Sequence, residues 1–111
     1  MNKLVVLWKS DNMIDVNEMI TPYILASKKN GWWDEVEVII WGASQNVVVS
    51  DDETKRRVAL MLKLGIKVYA CKKCAIDLNI EQALTDLNIN VIYTGELLTQ
   101  CLQSDAKVIT L

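Results

Sequence analysis

The chain has 111 residues, a formal net charge of −2, and a composition of 51% hydrophobic and 23% charged residues. These values predict one globular domain over residues 1–111 and exclude a disordered chain or one with a basic surface for nucleic acid. The absence of histidine excludes Ser-His and Cys-His catalysis, and three cysteines cannot all pair within one chain. We therefore expect free thiols in a cytoplasmic protein that neither enters the membrane nor binds nucleic acid.

The first strand and the first helix are predicted from an apolar run and a capping pattern. Leu4–Trp8 is continuously apolar, which is typical of a strand buried on both faces of a parallel sheet. Asp15 with Glu18 three residues later resembles a capping box, which predicts a helix from Asp15 toward Asn30. Gly31 is placed to adopt the left-handed conformation at the end of that helix.

Pro22 and Gly42 divide the segments that follow. Pro22 lies inside the first predicted helix, where we expect a kink or a new helix start capped by Thr21. Val36–Trp41 predicts the second strand, and Gly42 follows it where the backbone must turn sharply or approach a ligand. Val47–Val49 predicts a loop or a short edge segment.

The clearest helix signal comes directly after this segment. Ser50 and Glu53 match the capping box S-x-x-E, which predicts a helix that starts there. The apolar residues that recur at helical spacing are Val58, Met61, Leu62 and Leu64.

Three tripeptides place glycine or asparagine between two aliphatic residues and predict helix ends, because these two residue types tolerate the left-handed cap. They are Leu64-Gly65-Ile66, Leu78-Asn79-Ile80 and Leu87-Asn88-Ile89. Between these ends we predict a third strand over Lys67–Cys71, a short helix from Lys72 and another helix from Glu81.

The remaining elements complete an alternating pattern of strands and helices. Asn90–Thr94 predicts a fourth strand, Gly95 opens a helix, and Ala106–Leu111 predicts a fifth strand. The apolar residues of that helix are Leu97, Leu98 and Leu102. Alternation of apolar strands with helices predicts an α/β domain in which a five-stranded, mainly parallel sheet is covered by helices on both faces.

Cys71 and Cys74 lie three residues apart where the third predicted strand passes into a helix. A cysteine at a helix N-terminus experiences the positive end of the helix dipole, and Lys72 and Lys73 add positive charge. We therefore expect a lowered pKa and a reactive thiolate at Cys71. The spacing places Cys74 on nearly the same helix face, where it resolves a disulfide, stabilises a persulfide or simply packs. The alternative for Cys71 is an ordinary buried cysteine that ends a strand.

Ligands of open parallel sheets bind outside the carboxyl ends of the strands, which places a set of candidate pocket residues around the thiols. The set comprises Ser10, Asp11, Gly42, Ala43, Ser44, Lys72, Thr94 and Gly95. Asp11 is either a general base or hydrogen-bond acceptor that faces the thiols or, as we favour, a turn residue. Lys72 and Lys73 are either solvated surface residues or electrostatic support for Cys71.

Other interpretations of the cysteines have less support. Zinc needs about four ligands, and Cys71 and Cys74 without histidine do not supply them, so neither a metal nor a cofactor is expected. A thioredoxin-like site is disfavoured because the single proline, Pro22, precedes the motif. Cys101 shares a helical stripe with leucines and is interpreted as a core residue. In Trp32–Trp33, we expect at least one indole to cover a helix end or to lie in a subunit interface.

The order of these motifs resembles the DsrE/DsrF-like family of small sulfur-relay proteins over nearly the whole chain. The matching segments are the apolar first strand, Gly31-Trp32-Trp33, Ile40-Trp41-Gly42, Leu64 to Cys71, Thr94 to Leu98, and Val108-Ile109. The resemblance implies a three-layer α/β/α domain that assembles into trimers or hexamers. It also implies that Cys71 accepts and passes on a persulfide sulfur, and the Cys71-Lys72-Lys73-Cys74 pattern resembles a subgroup with two cysteines.

Three functions are open on this basis. The first is an intracellular sulfurtransferase or sulfur carrier that holds a persulfide on Cys71 between a protein donor and an acceptor thiol. The second is a thiol-disulfide redox protein that cycles Cys71 and Cys74. The third is a non-catalytic homo-oligomeric module that binds a small ligand and uses its cysteines structurally.

Overall fold

A parallel sheet forms the centre of the protein in the computed structural model, which describes residues 2–111. The strands are β1 (Lys3–Trp8), β2 (Glu35–Ile40), β3 (Lys67–Cys71), β4 (Asn90–Ile92) and β5 (Lys107–Thr110). They form one five-stranded sheet in the order β4-β3-β2-β1-β5. Every neighbouring pair is parallel. The predicted α/β class is therefore confirmed, and the sheet is parallel throughout.

Helices connect the strands. They are α1 (Met13–Asp15), α2 (Thr21–Lys29), α3 (Ser44–Ser50), α4 (Asp52–Lys63), α5 (Lys72–Asp77), α6 (Glu81–Asp86) and α7 (Thr94–Gln103). A π-helical turn, Val16–Ile20, joins α1 to α2. Within residues 2–111, no helix combines the length and the hydropathy that crossing a membrane requires.

The strand order explains the layers. From β1 to β4 each new strand is added on the same side of the last, and right-handed crossovers then place their connecting helices on one face. The connection from β4 to β5 returns across the sheet, which places α7 on the opposite face. Val6, Val38 and Val68 point to the face covered by the helices between β1 and β4 and pack in the larger core cluster. Val5 and Ile39 point to the other face and pack beneath α7. The prediction that helices cover both faces of the sheet is confirmed.

The first helix begins earlier than its sequence pattern predicts. Asn12 is the N-cap, and its Oδ1 accepts a hydrogen bond of 3.1 Å from the Asp15 backbone N–H. The predicted capping box at Asp15 and Glu18 is wrong, because Asn12 is an equally competent cap one turn earlier. The helix ends as predicted, with Asn30 at its C-cap and Gly31 at a φ of +66°.

Pro22 ends the π-helical turn between α1 and α2. The predicted new start near Pro22 is confirmed as α2, but Thr21 is not its cap. Thr21 is itself helical, and its hydroxyl donates to the Val16 carbonyl at 2.8 Å. Pro22 has no N–H with which to continue the π-helical pattern to the Asn17 carbonyl. That carbonyl instead accepts a hydrogen bond of 2.9 Å from Arg57 of α4.

Val47–Val49 is helical, which corrects the predicted loop or edge segment. These valines lie in α3, and the first two are buried in the core. Burial against the sheet outweighs the modest helix propensity of valine. The next helix, α4, is capped by Asp51 rather than by the predicted Ser50, because the Asp51 carboxylate accepts a hydrogen bond of 2.9 Å from the Thr54 N–H.

The three predicted helix ends are confirmed. Gly65, Asn79 and Asn88 follow α4, α5 and α6 and adopt φ values of +84°, +58° and +64°. The left-handed backbone ends each helix and redirects the chain into the next element. The predicted bounds of β3 and the predicted starts of α5 and α6 are confirmed as well.

Trp32 and Trp33 occupy the turn that precedes β2. Trp33 packs against the core, and its Nε1 donates to Tyr23 Oη at 3.4 Å. Trp32 is 54% exposed, and its ring lies 6.2 Å from the Tyr23 ring. One indole is therefore largely uncovered beside the end of α2, while its place in a subunit interface stays a prediction.

Candidate functional site

Cys71 lies at the carboxyl end of β3, where the chain enters α5. It is the N-cap of α5, with extended backbone angles of φ −70° and ψ 118°, and Cys74 follows inside the helix. Cys71 is only 4% exposed, whereas Cys74 is half-buried. Both thiols are free. The junction between strand and helix therefore brings the two predicted thiols together.

The surroundings of Cys71 favour its thiolate. Burial disfavours the charged sulfur, but hydrogen bonds to the thiolate outweigh this effect and hold the pKa of Cys71 below its ordinary value. The donors are the Cys74 backbone N–H, the Thr94 hydroxyl, the Cys74 thiol and the Lys73 backbone N–H. Within residues 2–111, Thr94 Oγ1 is buried and forms no hydrogen bond. This hydroxyl is therefore available to the sulfur.

Cys74 is disposed to keep its proton. Burial raises the pKa of the Cys74 thiol above its ordinary value. The Gly42 backbone N–H opposes this effect, and the neighbouring Cys71 sulfur adds to it. The pair therefore titrates in sequence, with the first proton lost mainly from Cys71 and the second retained on Cys74.

The side chains of Lys72 and Lys73 are engaged with other groups. Lys73 Nζ lies 2.8 Å from Asp77 Oδ2, and this ion pair raises the pKa of Lys73. Lys72 Nζ lies 4.0 Å from Glu81 Oε2 and 5.8 Å from the centroid of the Tyr93 ring. The support that this pair of lysines gives to the Cys71 thiolate comes mainly from the Lys73 backbone N–H.

Two fully buried polar residues at the start of α3 donate hydrogen bonds to the carboxyl ends of three strands. Ser44 Oγ donates to the Trp8 carbonyl at 2.6 Å. Gln45 Nε2 donates to the carbonyls of Ile40 and Cys71, each at 3.1 Å. Gln45 thus fixes the backbone of Cys71 to the neighbouring strand. Gln45 is a site residue that the sequence does not predict, because its segment is predicted as a loop or edge segment and no motif marks a glutamine at this position.

Gly42 and Thr94 are the predicted pocket residues that the fold places on the thiol pair. The Gly42 N–H faces the Cys74 sulfur, and the Thr94 hydroxyl faces the Cys71 sulfur. Gly42 has a φ of +74°, a conformation that favours glycine. It also lines an apolar groove of about 420 Å³, which we call the Trp41 groove; its other lining residues are Leu7, Lys9, Trp41 and Leu98.

The remaining predicted pocket residues lie at the same end of the sheet without such a contact to the sulfurs. Ser10 Oγ accepts a hydrogen bond of 3.1 Å from the Asn12 N–H, an arrangement typical of a turn. Asp11 is exposed within this turn, and Ala43 and Gly95 are exposed near the starts of α3 and α7. These residues form a solvated border at this end of the sheet.

Comparisons with known proteins connect the chain to solved structures. No family model matches it, and a search of curated proteins found no match. A conserved protein of unknown function from Bacteroides thetaiotaomicron, BT1422, is 35% identical with a TM-score of 0.95, and the match covers 99% of this chain and 95% of that one. Two further structures share the fold and match over 100% of both chains. They are the protein of unknown function MTH1491 from Methanobacterium thermoautotrophicum, at 15% identity and a TM-score of 0.79, and the Escherichia coli ychN protein, at 13% and 0.73.

Proposed function

We propose that this chain, which belongs to the same family as the conserved Bacteroides thetaiotaomicron protein of unknown function, carries sulfur as a persulfide on Cys71. The main observation in favour is the set of hydrogen-bond donors that stabilises the Cys71 thiolate at the carboxyl end of a parallel sheet. The thiolate is the form of cysteine that attacks sulfur. The sequence resemblance to the DsrE/DsrF-like family, in which sulfur-relay members use a cysteine at this position, supports the same function.

Loading and unloading are each a displacement at sulfur. The Cys71 thiolate attacks the outer sulfur of a donor persulfide, R–S–S–H, which forms Cys71–S–S–H and releases the donor thiolate R–S⁻. In unloading, an acceptor thiolate attacks the outer sulfur of Cys71–S–S–H, and the Cys71 thiolate leaves. The donors to Cys71, including the Lys73 N–H and the Thr94 hydroxyl, stabilise that leaving thiolate. The same contacts therefore assist both half-reactions.

We propose that a protein donor or acceptor docks at the Trp41 groove. Gly42 lines this groove, and its backbone N–H also faces the Cys74 sulfur. The groove is thus adjacent to the thiol pair. Because Cys71 is only 4% exposed, a donor must deliver its sulfur to a recessed atom. An apolar surface beside that atom can hold a partner long enough for the transfer.

The functional form in this proposal is a cytoplasmic homo-oligomer, a trimer or a hexamer. α7 packs over one face of the sheet. At the edge of the sheet formed by β4, the side chains of Ile92 and Tyr93 are 36% and 65% exposed. Association of copies along this edge buries apolar surface. Light scattering on the purified chain measures the assembly, and a monomeric mass at micromolar concentration would contradict it.

The carrier function is tested by exposure to a sulfane-sulfur donor, rapid alkylation and mass spectrometry of the intact chain. We expect a gain of one sulfur on Cys71 in the wild type at early times and in Cys74→Ser at all times. Cys71→Ser should gain none, and Cys101→Ser serves as the matched control because it should load normally. The absence of the adduct from both the wild type and Cys74→Ser would refute the proposal.

The closeness of Cys71 and Cys74 at the start of α5 favours a second candidate, a dithiol that cycles to a Cys71–Cys74 disulfide without sulfane sulfur. In this case the pair itself exchanges electrons with a partner. The measurement is the reduction potential of the pair in defined thiol buffers. If mild oxidation forms no intrachain disulfide, the second candidate fails.

A further inference from the structure

We propose that Cys74 discharges the Cys71 persulfide by displacing its outer sulfur as hydrosulfide, which leaves a Cys71–Cys74 disulfide. This inference rests on the proposed function, because it begins from the persulfide on Cys71. It assigns to the protein a reduction of sulfane sulfur in addition to its transfer. The residue that performs this reduction is Cys74, which the carrier function does not require.

The positions of the two residues suit a disulfide. Cys71 is the N-cap of α5, and Cys74 lies three residues later in the same helix. Residues with this spacing have Cβ atoms about 5–6 Å apart. A disulfide requires a Cβ separation of about 3.5–4.5 Å. The remaining gap is small, and Cys71 sits in extended backbone with a ψ of 118°, outside the rigid helical turns.

The nucleophile of this step lies next to its target in the fold. Cys71 caps α5 and Cys74 lies in its first turn, so the Cys74 thiol is close to the Cys71 sulfur, the atom that it attacks when the outer sulfur departs. Hydrogen bonding from the Cys74 thiol is also one of the causes that lower the pKa of Cys71. Burial raises the pKa of Cys74, but hydrogen bonding from the Gly42 backbone N–H lowers it and so stabilises negative charge on the Cys74 sulfur as the proton is lost.

One discharge balances without an added reductant. The anion Cys71–S–S⁻ and the Cys74 thiol give Cys71–S–S–Cys74 and HS⁻. The bond to the outer sulfur breaks, the bond between the two cysteine sulfurs forms, and the thiol proton moves to the departing sulfur. The outer sulfane sulfur gains two electrons, and each cysteine sulfur loses one. A second cycle requires a dithiol reductant to open the disulfide.

Proximity favours Cys74 over any other thiol. Groups tethered to the same chain act at an effective concentration of about millimolar, against micromolar for a second copy in a dilute assay. Cys101 is 5% exposed in the layer of α7, and burial raises the pKa of its thiol. It lies about two helical turns beyond Thr94, or about 10 Å along the axis of α7. Cys101 is therefore a suitable position for the control variant.

The test uses the full chain with Cys101→Ser and compares it with the same chain carrying Cys74→Ser. Each is loaded with glutathione persulfide with no thiol added beyond the glutathione that loading releases, and free hydrosulfide and the intact mass are followed together. With Cys74 present, we expect one equivalent of hydrosulfide, an intrachain disulfide and a rate that is independent of protein concentration. Cys74→Ser should keep the added sulfur and release hydrosulfide about 10²–10³-fold more slowly, in proportion to the lost effective concentration.

The outcomes separate this inference from the carrier function. If both proteins gain and retain one sulfur, the discharge by Cys74 is overturned and the carrier function stands. The discharge is also overturned if Cys74→Ser releases hydrosulfide as fast as its parent. If neither protein gains sulfur or releases hydrosulfide, the carrier function fails and the discharge fails with it.

Discussion

Replacement of Thr94 by valine separates the chemistry of Cys71 from the stability of the fold. Valine keeps the shape of threonine but removes the hydroxyl that hydrogen-bonds to the Cys71 thiolate. Thr94 is 1% exposed, and its Oγ1 forms no hydrogen bond within residues 2–111. We therefore expect Thr94→Val to lower the reactivity of Cys71 while leaving the free energy of unfolding unchanged or higher.

The two expected magnitudes follow from the same hydroxyl. A hydrogen bond to a charged group contributes about 1.5–3 kcal/mol. Since about 1.4 kcal/mol corresponds to a factor of ten, the thiolate fraction below the pKa should fall about tenfold or more. In the neutral protein, a buried hydroxyl without a good partner costs about 1–3 kcal/mol. A neutral sulfur is a weak acceptor that relieves part of this cost, so valine should raise the free energy of unfolding by at most about 1 kcal/mol.

The assay is the pH dependence of alkylation of Cys71 in a chain that also carries Cys74→Ser and Cys101→Ser. We expect the midpoint of this profile to move to higher pH in Thr94→Val and to stay at its original value in Thr94→Ser, which retains the hydroxyl. Urea unfolding of the same proteins gives the stabilities. An unchanged midpoint in folded Thr94→Val would refute the assignment of Thr94 as a donor to the thiolate.

Four further substitutions test the structure around the site and in α4. Gln45→Met removes two hydrogen bonds of 3.1 Å to buried strand-end carbonyls, but it also removes the buried Gln45 Oε1, which has no partner within residues 2–111. The free energy of unfolding in urea should therefore fall by about 1–2 kcal/mol, and an unchanged value would contradict the role of Gln45. Gly42→Ala places a Cβ in open space at a φ of +74°, so backbone strain alone should cost about 1–2 kcal/mol in the same assay. Gly95→Ala, which has equally open space inside a helix, should instead increase stability, and equal effects of the two alanines would contradict the strain at Gly42. Hydrogen bonds from two arginines of α4 lower the pKa of Glu53 from 4.5 to about 2. Glu53 therefore stabilises the fold above pH 4.5 and loses this contribution as the pH falls toward 2. The stability difference between wild type and Glu53→Gln should disappear over that interval in acid, and a difference independent of pH would contradict this.

Helix ends were predictable because their signal is local. Gly65, Asn79 and Asn88 each have a positive φ, which most residues adopt only at a cost. A glycine or asparagine between two aliphatic residues therefore indicates the end of a helix regardless of what packs around it. The N-caps were less certain, since Asn12 and Asp51 compete with neighbouring residues that cap equally well.

Elements that depend on tertiary packing were not predictable in the same way. The valines of α3 are weak helix formers, and it is their burial against the sheet that makes this segment helical. Gln45 has no local signal, because one of its two acceptors belongs to a residue 26 positions away. Such a contact becomes visible only when β3 lies beside β2 in the sheet.

The thiol pair was predictable because Cys71 and Cys74 are close in sequence at helical spacing. Thr94 was predicted as a pocket residue from its position after the fourth strand, since the carboxyl ends of parallel strands share one edge. Its specific role as a donor to Cys71 needed the order of β3 and β4, which the structure supplies.

Transfer of radiolabelled sulfane sulfur is the most direct test of the claim that Cys71 is a sulfur carrier. The chain with Cys74→Ser and Cys101→Ser retains Cys71 as its single thiol, so any label it acquires must reside there. We predict one equivalent of label on the chain after exposure to a labelled persulfide, followed by its passage to an added acceptor thiol. A chain that acquires no label, or that holds it without release to the acceptor, would contradict the carrier function.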